Sequence, residues 1–228
     1  AGSNEGFSKD YDLPNEHAYC ETCASVGMVF WNQRMNQLTG DATYYDILEK
    51  SLYNAALDGL SISGDRFFYG NPLASTGKNA RREWFGTACC PANIARMITS
   101  LGNYIYGYND SSIFVNLFIA SKTQIPFQKQ PVNIEVATQY PWNGTVTTSI
   151  HLAKPMKWNL AFRSPGWTRG VASPGNLYEF KTNQNYKALE VMVNDTKVNY
   201  VIENGYIVIN RVWIDNDNCL LYTSDAAD

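Results

Sequence analysis

Four of the five cysteines in this chain fall into two tight pairs, and one glutamate lies inside the first pair. Cys20 and Cys23 flank Glu21, and Cys89 is followed directly by Cys90. A disulfide framework spreads an even number of cysteines along the chain, whereas this number is odd and the spacing is clustered. The pattern therefore favours metal-binding or catalytic thiols.

The spacing of these residues suits one shared site. Glu21 and Cys23 lie just before a predicted helix, and side chains two positions apart point the same way in extended backbone. Cys90 precedes Pro91, and a proline disfavours helical backbone in the residue before it. Both groups thus lie at helix N-termini, where the helix dipole stabilises thiolates and carboxylates. Three sulfurs and one carboxylate oxygen form a donor set that suits tetrahedral zinc.

The spacing alone leaves alternatives open. Free cysteines are among the most buried residue types, so each of the four is also compatible with a place in the core. Cys89 and Cys90 are compatible with a strained vicinal disulfide. A metal site at these residues is either purely structural or, where one thiolate is held loosely, nucleophilic.

Three predicted helices carry these residues in the first half of the chain. Apolar or small side chains recur at helical spacing within residues 24–38, 45–55 and 91–104, as they do on one face of an amphipathic helix. The first of these stripes consists of Ala24, Met28, Trp31, Met35 and Leu38. The third begins at Pro91, because proline is favoured in the first turn of a helix.

After a polar turn at residues 109–112 the pattern becomes that of short β-strands. Apolar or alternating segments lie at residues 113–120, 132–136, 145–152, 158–162, 189–193 and 206–209,. Asn194-Asp195 and Asn204-Gly205 are turn signals, and many short strands with frequent turns are typical of a β-sandwich. We therefore predict a mainly α then β chain. The predicted parts are a helical domain at residues 1–110, an antiparallel β-sandwich at 111–218, and a non-native tail at 219–228 that continues neither pattern.

The composition excludes two classes of partner. The chain has 18 Lys and Arg against 21 Asp and Glu, a net charge of −3, so it has no excess of positive charge with which to neutralise phosphates. No apolar run approaches the roughly 18 residues of a membrane span. At 45% hydrophobic and 17% charged residues, the chain has enough apolar material for a globular core. We expect neither nucleic acid nor a membrane as partner.

The segments Tyr19–Ser25, Phe67–Leu73, Cys89–Asn93 and Arg163–Trp167 occur together in this chain. This combination resembles the β-L-arabinofuranosidase family, glycoside hydrolase family 127, and its close relatives, and the resemblance extends to about Asp217. It implies part of an (α/α)6 barrel followed by a β-sandwich. It also implies that the chain is a fragment without the first half of the barrel, and that residues 1–228 alone are inactive.

The resemblance assigns a metal centre and a nucleophile to the two thiol pairs. Glu21, Cys23 and Cys90 match zinc ligands, and Cys89 matches the nucleophile, which also lies near the metal. A cysteine nucleophile is unusual in a glycosidase, because a neutral thiol attacks poorly. Zinc would hold Cys89 as a thiolate before the attack.

Further roles follow from the same resemblance. Glu5, sixteen residues before Glu21, matches the general acid/base, and Glu49 and Tyr69 match sugar-contacting positions. Cys20 departs from the family pattern, which more often has a small residue there, and we expect it to be buried.

These implied roles predict a retaining glycoside hydrolase that releases L-arabinofuranose, or a related pentose, from plant glycans. The alternative is a non-catalytic carbohydrate-binding protein with a structural zinc site, and a third possibility is a thiol redox protein. The expected partners are a glycan substrate and, as an open alternative, a second copy of the chain in a homodimer. The exact sugar, its anomeric configuration and the compartment, cytoplasm or periplasm, stay open.

Overall fold

The computed structural model describes residues 6, 8–12, 14–181 and 189–223. It divides the chain into two compact units. The first contains Ala1–Met35 and Ile47–Leu101, and the second contains Asn36–Asp46 and Gly102–Asp228. The second unit therefore takes a short internal segment from the helical half of the chain.

The three predicted helices are confirmed. The helical elements are α1 (Thr22–Thr39), α2 (Thr43–Ser51), a π-helical turn (Leu52–Ala56), a 3-10 turn (Leu57–Gly59), α3 (Cys89–Ser100) and α4 (Gly102–Ile105). No described helix is long and apolar enough to cross a membrane. The apolar faces predicted for the second and third helices are correct, since Leu48, Leu52, Ile94 and Met97 are buried.

The apolar stripe predicted for α1 lies on its exposed side. Trp31 is 63% exposed and Leu38 is 81% exposed. The side chains that α1 buries include Val26, Val29 and Asn32, on the opposite side of the helix. Because α1 carries apolar residues on both sides, the helical spacing predicts a helix here but does not predict which side of that helix is buried.

Helix α3 begins two residues earlier than predicted. Its first residues are Cys89 and Cys90, and Ala88 is the N-cap. The extended backbone predicted for Cys90 is therefore wrong. Pro91 is still within the first turn, where the amide N–H groups have no partner inside the helix, so a proline there costs no hydrogen bond.

The second unit contains a β-sandwich of two sheets. The strands are β1 (Tyr106–Tyr108), β2 (Ser112–Val115), β3 (Ser121–Phe127), β4 (Gln130–Thr138), β5 (Thr145–His151), β6 (Met156–Arg163), β7 (Glu190–Val193), β8 (Thr196–Lys197), β9 (Val201–Glu203), β10 (Tyr206–Trp213) and β11 (Asp217–Tyr222). One sheet has the order β1-β2-β6-β10-β9, and the other has the order β3-β4-β5-β11-β7-β8. Buried side chains from both sheets form one core, in which the rings of Trp158 and Trp213 lie 5.4 Å apart.

The sandwich is not purely antiparallel. Strand β2 pairs with β6 in parallel, with Ser112 opposite Asn159. Parallel neighbours need a long connection, and three strands of the other sheet lie between these two in the sequence. The predicted turns at 194–195 and 204–205 are confirmed, since all four residues have the positive φ angles of tight hairpin turns,.

The sandwich also extends past residue 218, where we predicted that it would end. Strand β11 runs from Asp217 to Tyr222 and pairs with β5 and β7. Cys219 and Leu221 are fully buried in the core. The backbone N–H and the side-chain hydroxyl of Thr223 both donate to the carbonyl oxygen of Gly144, and Thr223 is buried as well. The sandwich therefore includes residues 219–222, beyond the predicted boundary at 218, while residues 224–228 lie outside the described part of the chain.

A buried ion pair attaches residues 36–46 to the sandwich. The Nη1 atom of Arg163, at the end of β6, lies 2.7 Å from Oδ1 of Asp46. Arg163 also donates from Nε to the carbonyl oxygen of Asn116 at 2.8 Å. Gly166 leaves room for this pair, because a Cβ there would lie only 2.7 Å from Oδ2 of Asp46 and would force that carboxylate to shift. The Arg163–Trp167 segment therefore has a structural task within this unit.

Candidate metal centre

Two helix N-termini of the first unit bring four metal-binding side chains together. Cys23 is the second residue of α1, and Cys89 and Cys90 are the first two residues of α3. Glu21 lies immediately before α1, where it forms an isolated β-bridge with Gly70. One donor atom from each of these four side chains lies within 4.8 Å of the other three.

The separations of the donor atoms fit a tetrahedral ion. Cys23 Sγ lies 3.3 Å from Cys90 Sγ, and Cys89 Sγ lies 4.0 Å from Cys90 Sγ. Glu21 Oε1 lies 3.6 Å from Cys89 Sγ and 3.7 Å from Cys90 Sγ. Zinc bonds of about 2.3 Å to sulfur and about 2.0 Å to oxygen place tetrahedral ligands about 3.5–3.8 Å apart. These four separations lie within about 0.3 Å of the range that such an ion requires, so the residues present fit it,.

The segment Phe67–Leu73 holds the end of α1 in place. The backbone N–H of Thr22 donates to the carbonyl oxygen of Tyr69 at 2.9 Å, and its hydroxyl donates to that of Phe68 at 3.0 Å. Gly59 permits a close approach of the chain here, because a Cβ would lie 2.6 Å from Thr22 Cγ2 and 2.8 Å from Ile94 Cδ1. The relative positions of α1 and α3 are thus fixed by packing that involves no metal.

The four ligand candidates differ in accessibility and in acidity. Cys90 is fully buried, whereas Glu21, Cys23 and Cys89 are half-buried. Burial raises the pKa of the Cys23 thiol, although a hydrogen bond from Asn93 opposes this change, and burial also raises the pKa of the Cys90 thiol. A nearby cation is therefore needed to keep these thiols ionised at neutral pH.

None of the five cysteines forms a disulfide. Cys89 and Cys90 in particular are separate thiols, so the structure does not contain the vicinal disulfide that the sequence left open. Cys20 is half-buried rather than buried as predicted, and it is not a member of the four-residue cluster. Its carbonyl oxygen accepts a hydrogen bond from the backbone of Asn71.

Of the other three predicted site residues, only Tyr69 is placed beside the metal-binding cluster by the described part of the structure. Tyr69 joins the cluster, since its hydroxyl oxygen lies 3.6 Å from Cys89 Sγ, and this contact is the main cause of a raised Tyr69 pKa. Glu49 is a buried residue of α2 and does not belong to the four-residue cluster. Glu5 lies outside the described residues.

A cleft opens on the side of Tyr69. It has a volume of about 410 Å³, and its walls include Phe68, Tyr69, Lys78, Arg82 and Phe85. The rings of Tyr69 and Phe85 meet edge to face with their centres 5.6 Å apart. Tyr69 connects this cleft to the metal centre, because its hydroxyl group contacts Cys89 Sγ.

The comparisons with known proteins match both the helical part and the β-sandwich part of this chain. A model of the β-L-arabinofuranosidase GH127 catalytic domain matches residues 1–103, and a model of the GH127 middle domain matches residues 112–223. The chain belongs to glycoside hydrolase family 127. The middle-domain match includes residues 219–223, in agreement with the position of β11 in the sandwich.

Individual GH127 proteins are similar over most of this chain. The non-reducing end β-L-arabinofuranosidase of Bifidobacterium longum subsp. longum is 37% identical over 182 residues, which cover 73% of this chain and 27% of that protein. A solved GH127 β-arabinofuranosidase superposes with a TM-score of 0.91 at 42% identity, over 95% of this chain and 34% of that one. The GH127 β-L-arabinofuranosidase of Geobacillus stearothermophilus T6 superposes with a TM-score of 0.83 at 38% identity. This match covers 95% of this chain and 33% of that one. The chain thus spans about a third of the length of these relatives.

Two features of this GH127 site were not predicted from the sequence. Asn93 donates from Nδ2 to Cys23 Sγ at 3.1 Å, and its position three residues after Cys90 on α3 was the available signal. Arg81 donates to the carbonyl oxygen of Asp58 at 2.7 Å and to its carboxylate at 2.8 Å, and it lies 4.3 Å from the centre of the Phe68 ring. No spacing rule connects Arg81 with Asp58, which is 23 positions away.

Proposed function

We propose that this chain is the metal-centre part of a retaining β-L-arabinofuranosidase, in which Cys89 is the nucleophile. The observation that carries the proposal is the convergence of three thiols and one carboxylate within 4.8 Å at two helix N-termini. Two relatives are named β-L-arabinofuranosidases, and a third a β-arabinofuranosidase. The proposed substrate class is therefore an L-arabinofuranoside of a plant glycan.

The proposed cofactor is zinc, held by Glu21, Cys23, Cys89 and Cys90. Three sulfurs with one oxygen is a soft donor set, which zinc accepts and which magnesium or calcium does not prefer. When bound, zinc would keep the thiols deprotonated at neutral pH. Both helix N-termini add to this effect, because their unpaired N–H groups stabilise negative charge on Cys23 and Cys89.

Exposure supports Cys89, rather than Cys90, as the nucleophile. Cys90 Sγ is fully buried and lies 3.3 Å from Cys23 Sγ. Cys89 is half-buried and is the thiol beside the hydroxyl of Tyr69, a residue that lines the cleft. A sugar that approaches the centre along Tyr69 would meet Cys89 before the fully buried Cys90, which has only a ligand role.

The proposed reaction proceeds in two displacements. Cys89 Sγ forms a bond to the anomeric carbon, while the bond from that carbon to the departing oxygen breaks and this oxygen takes a proton from an acid. Water then attacks the same carbon, gives a proton to the resulting base, and releases Cys89 as a thiolate. Two inversions give net retention. Family resemblance implies Glu5 as the acid and base.

Two further parts of the proposal concern the surroundings of the centre. Tyr69 is the proposed sugar contact, since it lies both on the cleft and beside Cys89; Glu49 is retained as a contact on resemblance alone. We also propose that the helices belong to an (α/α)6 barrel. The exposed side chains of Met28, Trp31 and Leu38 support this, because a neighbouring barrel helix would cover them,.

The test replaces single cysteines in the complete protein that contains this chain. Cys89→Ser is expected to lower the hydrolysis of 4-nitrophenyl β-L-arabinofuranoside by at least about a thousandfold, while bound zinc is still measured by atomic absorption. Cys20→Ser is the matched control, because Cys20 is half-buried but outside the cluster, and it should retain activity.

The same experiment separates the alternatives. A glycosylated Cys89 peptide, detected by mass spectrometry after rapid acid quenching, would support the covalent step. Unchanged hydrolysis by Cys89→Ser would contradict the assignment of the nucleophile. Loss of zinc with unchanged sugar binding and no hydrolysis by the parent protein would instead favour a structural metal in a carbohydrate-binding protein.

A further inference from the structure

A second cavity lies in the sandwich unit and uses no residue of the metal centre. Its volume is about 590 Å³, within the range of about 300–1,000 Å³ that small-molecule sites occupy. Strands β1, β2 and β3 and residues 36–40 contribute to its walls. Among the described residues, its lining contains six Asn or Gln residues and four Phe or Tyr residues, and no Asp, Glu, Lys, Arg or His.

A buried network of neutral groups forms part of the cavity wall. Asn36 donates from Nδ2 to the Tyr206 hydroxyl oxygen at 2.8 Å, and this hydroxyl donates to Oδ1 of Asn116 at 2.7 Å. Asn36 also donates to the carbonyl oxygen of Asp41 at 2.9 Å. Asn36 and Asn116 are only 8% and 3% exposed. The two amides are therefore held in fixed orientations before any ligand arrives.

The opening of the cavity combines aromatic rings with exposed amides. Tyr108 is 55% exposed and Phe114 is half-buried, and Asn103 and Gln124 are exposed at the rim. Gly107 lies opposite Phe114 in the β1–β2 pair. A Cβ at Gly107 would lie 3.3 Å from Asn116 Nδ2 and 3.9 Å from Phe114 Cβ. The absence of a side chain at this position leaves open the space beside the ring and the amide.

This lining matches the chemistry of an uncharged sugar. Each carboxamide presents a hydrogen-bond donor and an acceptor side by side, as neighbouring sugar hydroxyls require. Aromatic rings offer apolar surface with defined faces, against which the C–H side of a sugar ring packs. A phosphate, a nucleotide or an acidic glycan would need cationic partners, and the part of the chain that the structure describes contributes none to the lining,.

We propose that this cavity is a non-catalytic binding site for a neutral oligosaccharide. The site holds a glycan chain through Tyr108, Phe114 and the surrounding amides, and it performs no chemistry on that chain. It requires neither a metal nor Cys89, so its existence does not depend on the function proposed for the metal centre.

The test is an NMR titration of the ¹⁵N-labelled chain with arabinotriose and with xylotriose, both neutral. We expect saturable shifts in the side-chain amide signals of Asn103 and Gln124. Gly107→Val fills the space beside Phe114 with a residue suited to a strand, and it should weaken binding by at least about tenfold, which is about 1.4 kcal/mol. Tyr108→Ala, at an exposed position that a change is expected to leave folded, should also weaken binding.

Three controls make the result specific. Tyr178→Ala removes a tyrosine that is 59% exposed and does not line the cavity, and it should bind as the parent does. Cys89→Ser should also bind as the parent does, which separates this site from the metal centre. Trigalacturonate, an acidic trisaccharide, should cause no saturable shift. The proposal is overturned if the parent chain shows no saturable shifts, if Gly107→Val and Tyr108→Ala both bind normally, or if Cys89→Ser abolishes binding.

Discussion

The ion pair between Asp46 and Arg163 gives the sharpest stability prediction. The Arg163 side chain is fully buried and that of Asp46 is 9% exposed. Neutralising one partner of a buried ion pair removes its attraction without restoring the hydration of the other charge, and this costs about 3–5 kcal/mol. Arg163 would keep the Asn116 carbonyl oxygen at 2.8 Å and the Phe118 ring at 5.6 Å. We therefore expect Asp46→Asn to lower the free energy of unfolding by about 3 kcal/mol, the lower end of that range.

Urea denaturation monitored by tryptophan fluorescence measures this loss, because Trp158 and Trp213 are buried in the core of the same unit. The matched control is Glu135→Gln, which breaks an ion pair with Lys122 whose side chains are 40% and 77% exposed. Exposed pairs contribute about 0–1 kcal/mol. Combining Asp46→Asn with Arg163→Met should cost less than the sum of the two single changes. If Asp46→Asn proves no more costly than Glu135→Gln, the assigned role of the buried pair is refuted.

Three further predictions concern the thiols. Asn93→Leu removes the hydrogen bond to Cys23 Sγ and should weaken zinc affinity by about 10–100-fold in a chelator competition; equal affinity would contradict a positioning role. Chelation should expose Cys89 to iodoacetamide well before the fully buried Cys90, as peptide mass spectrometry would report, and identical labelling with and without zinc would count against the cluster. Burial raises the pKa of Cys219 from 9.0 to about 12, so the folded state favours the protonated thiol. The contribution of the protonated Cys219 thiol to the free energy of unfolding is complete below pH 9.0 and is lost as the pH rises towards 12,. In Cys219→Val the urea midpoint should fall less between pH 9.0 and 12 than it does in the parent protein. An equal fall in the variant and the parent would refute the role assigned to the Cys219 thiol.

The metal centre could be predicted from the sequence because its residues are few and chemically distinctive. Glu21, Cys23, Cys89 and Cys90 were expected at helix N-termini, and the structure places them there. The backbone of the second pair was predicted wrongly, since a proline in the first turn of α3 does not force Cys90 to be extended. The general rule about residues before proline was outweighed by the packing of α3.

The buried face of α1 and the last strand of the sandwich could not be predicted from the sequence. Both depend on tertiary contacts, about which a local residue pattern carries no information. Trp31 lies on an apolar stripe of the correct period, yet it is exposed. Strand β3 was not predicted because polar residues such as Lys122 and Gln124 fill its exposed side, which suits an edge strand,. The local pattern does not predict strand β11, although its pairing with both β5 and β7 makes it central to its sheet.

The most direct test of the central claim is X-ray absorption at the zinc edge, recorded on the chain loaded with one equivalent of zinc. The proposed centre predicts three sulfur ligands at about 2.3 Å and one oxygen or nitrogen ligand at about 2.0 Å. In Cys23→Ser one sulfur should be replaced by a lighter atom, while Cys20→Ser should give the parent spectrum. A zinc ion bound only by oxygen and nitrogen, or a chain that retains no zinc after dialysis, would contradict the proposal that these thiols form a metal centre.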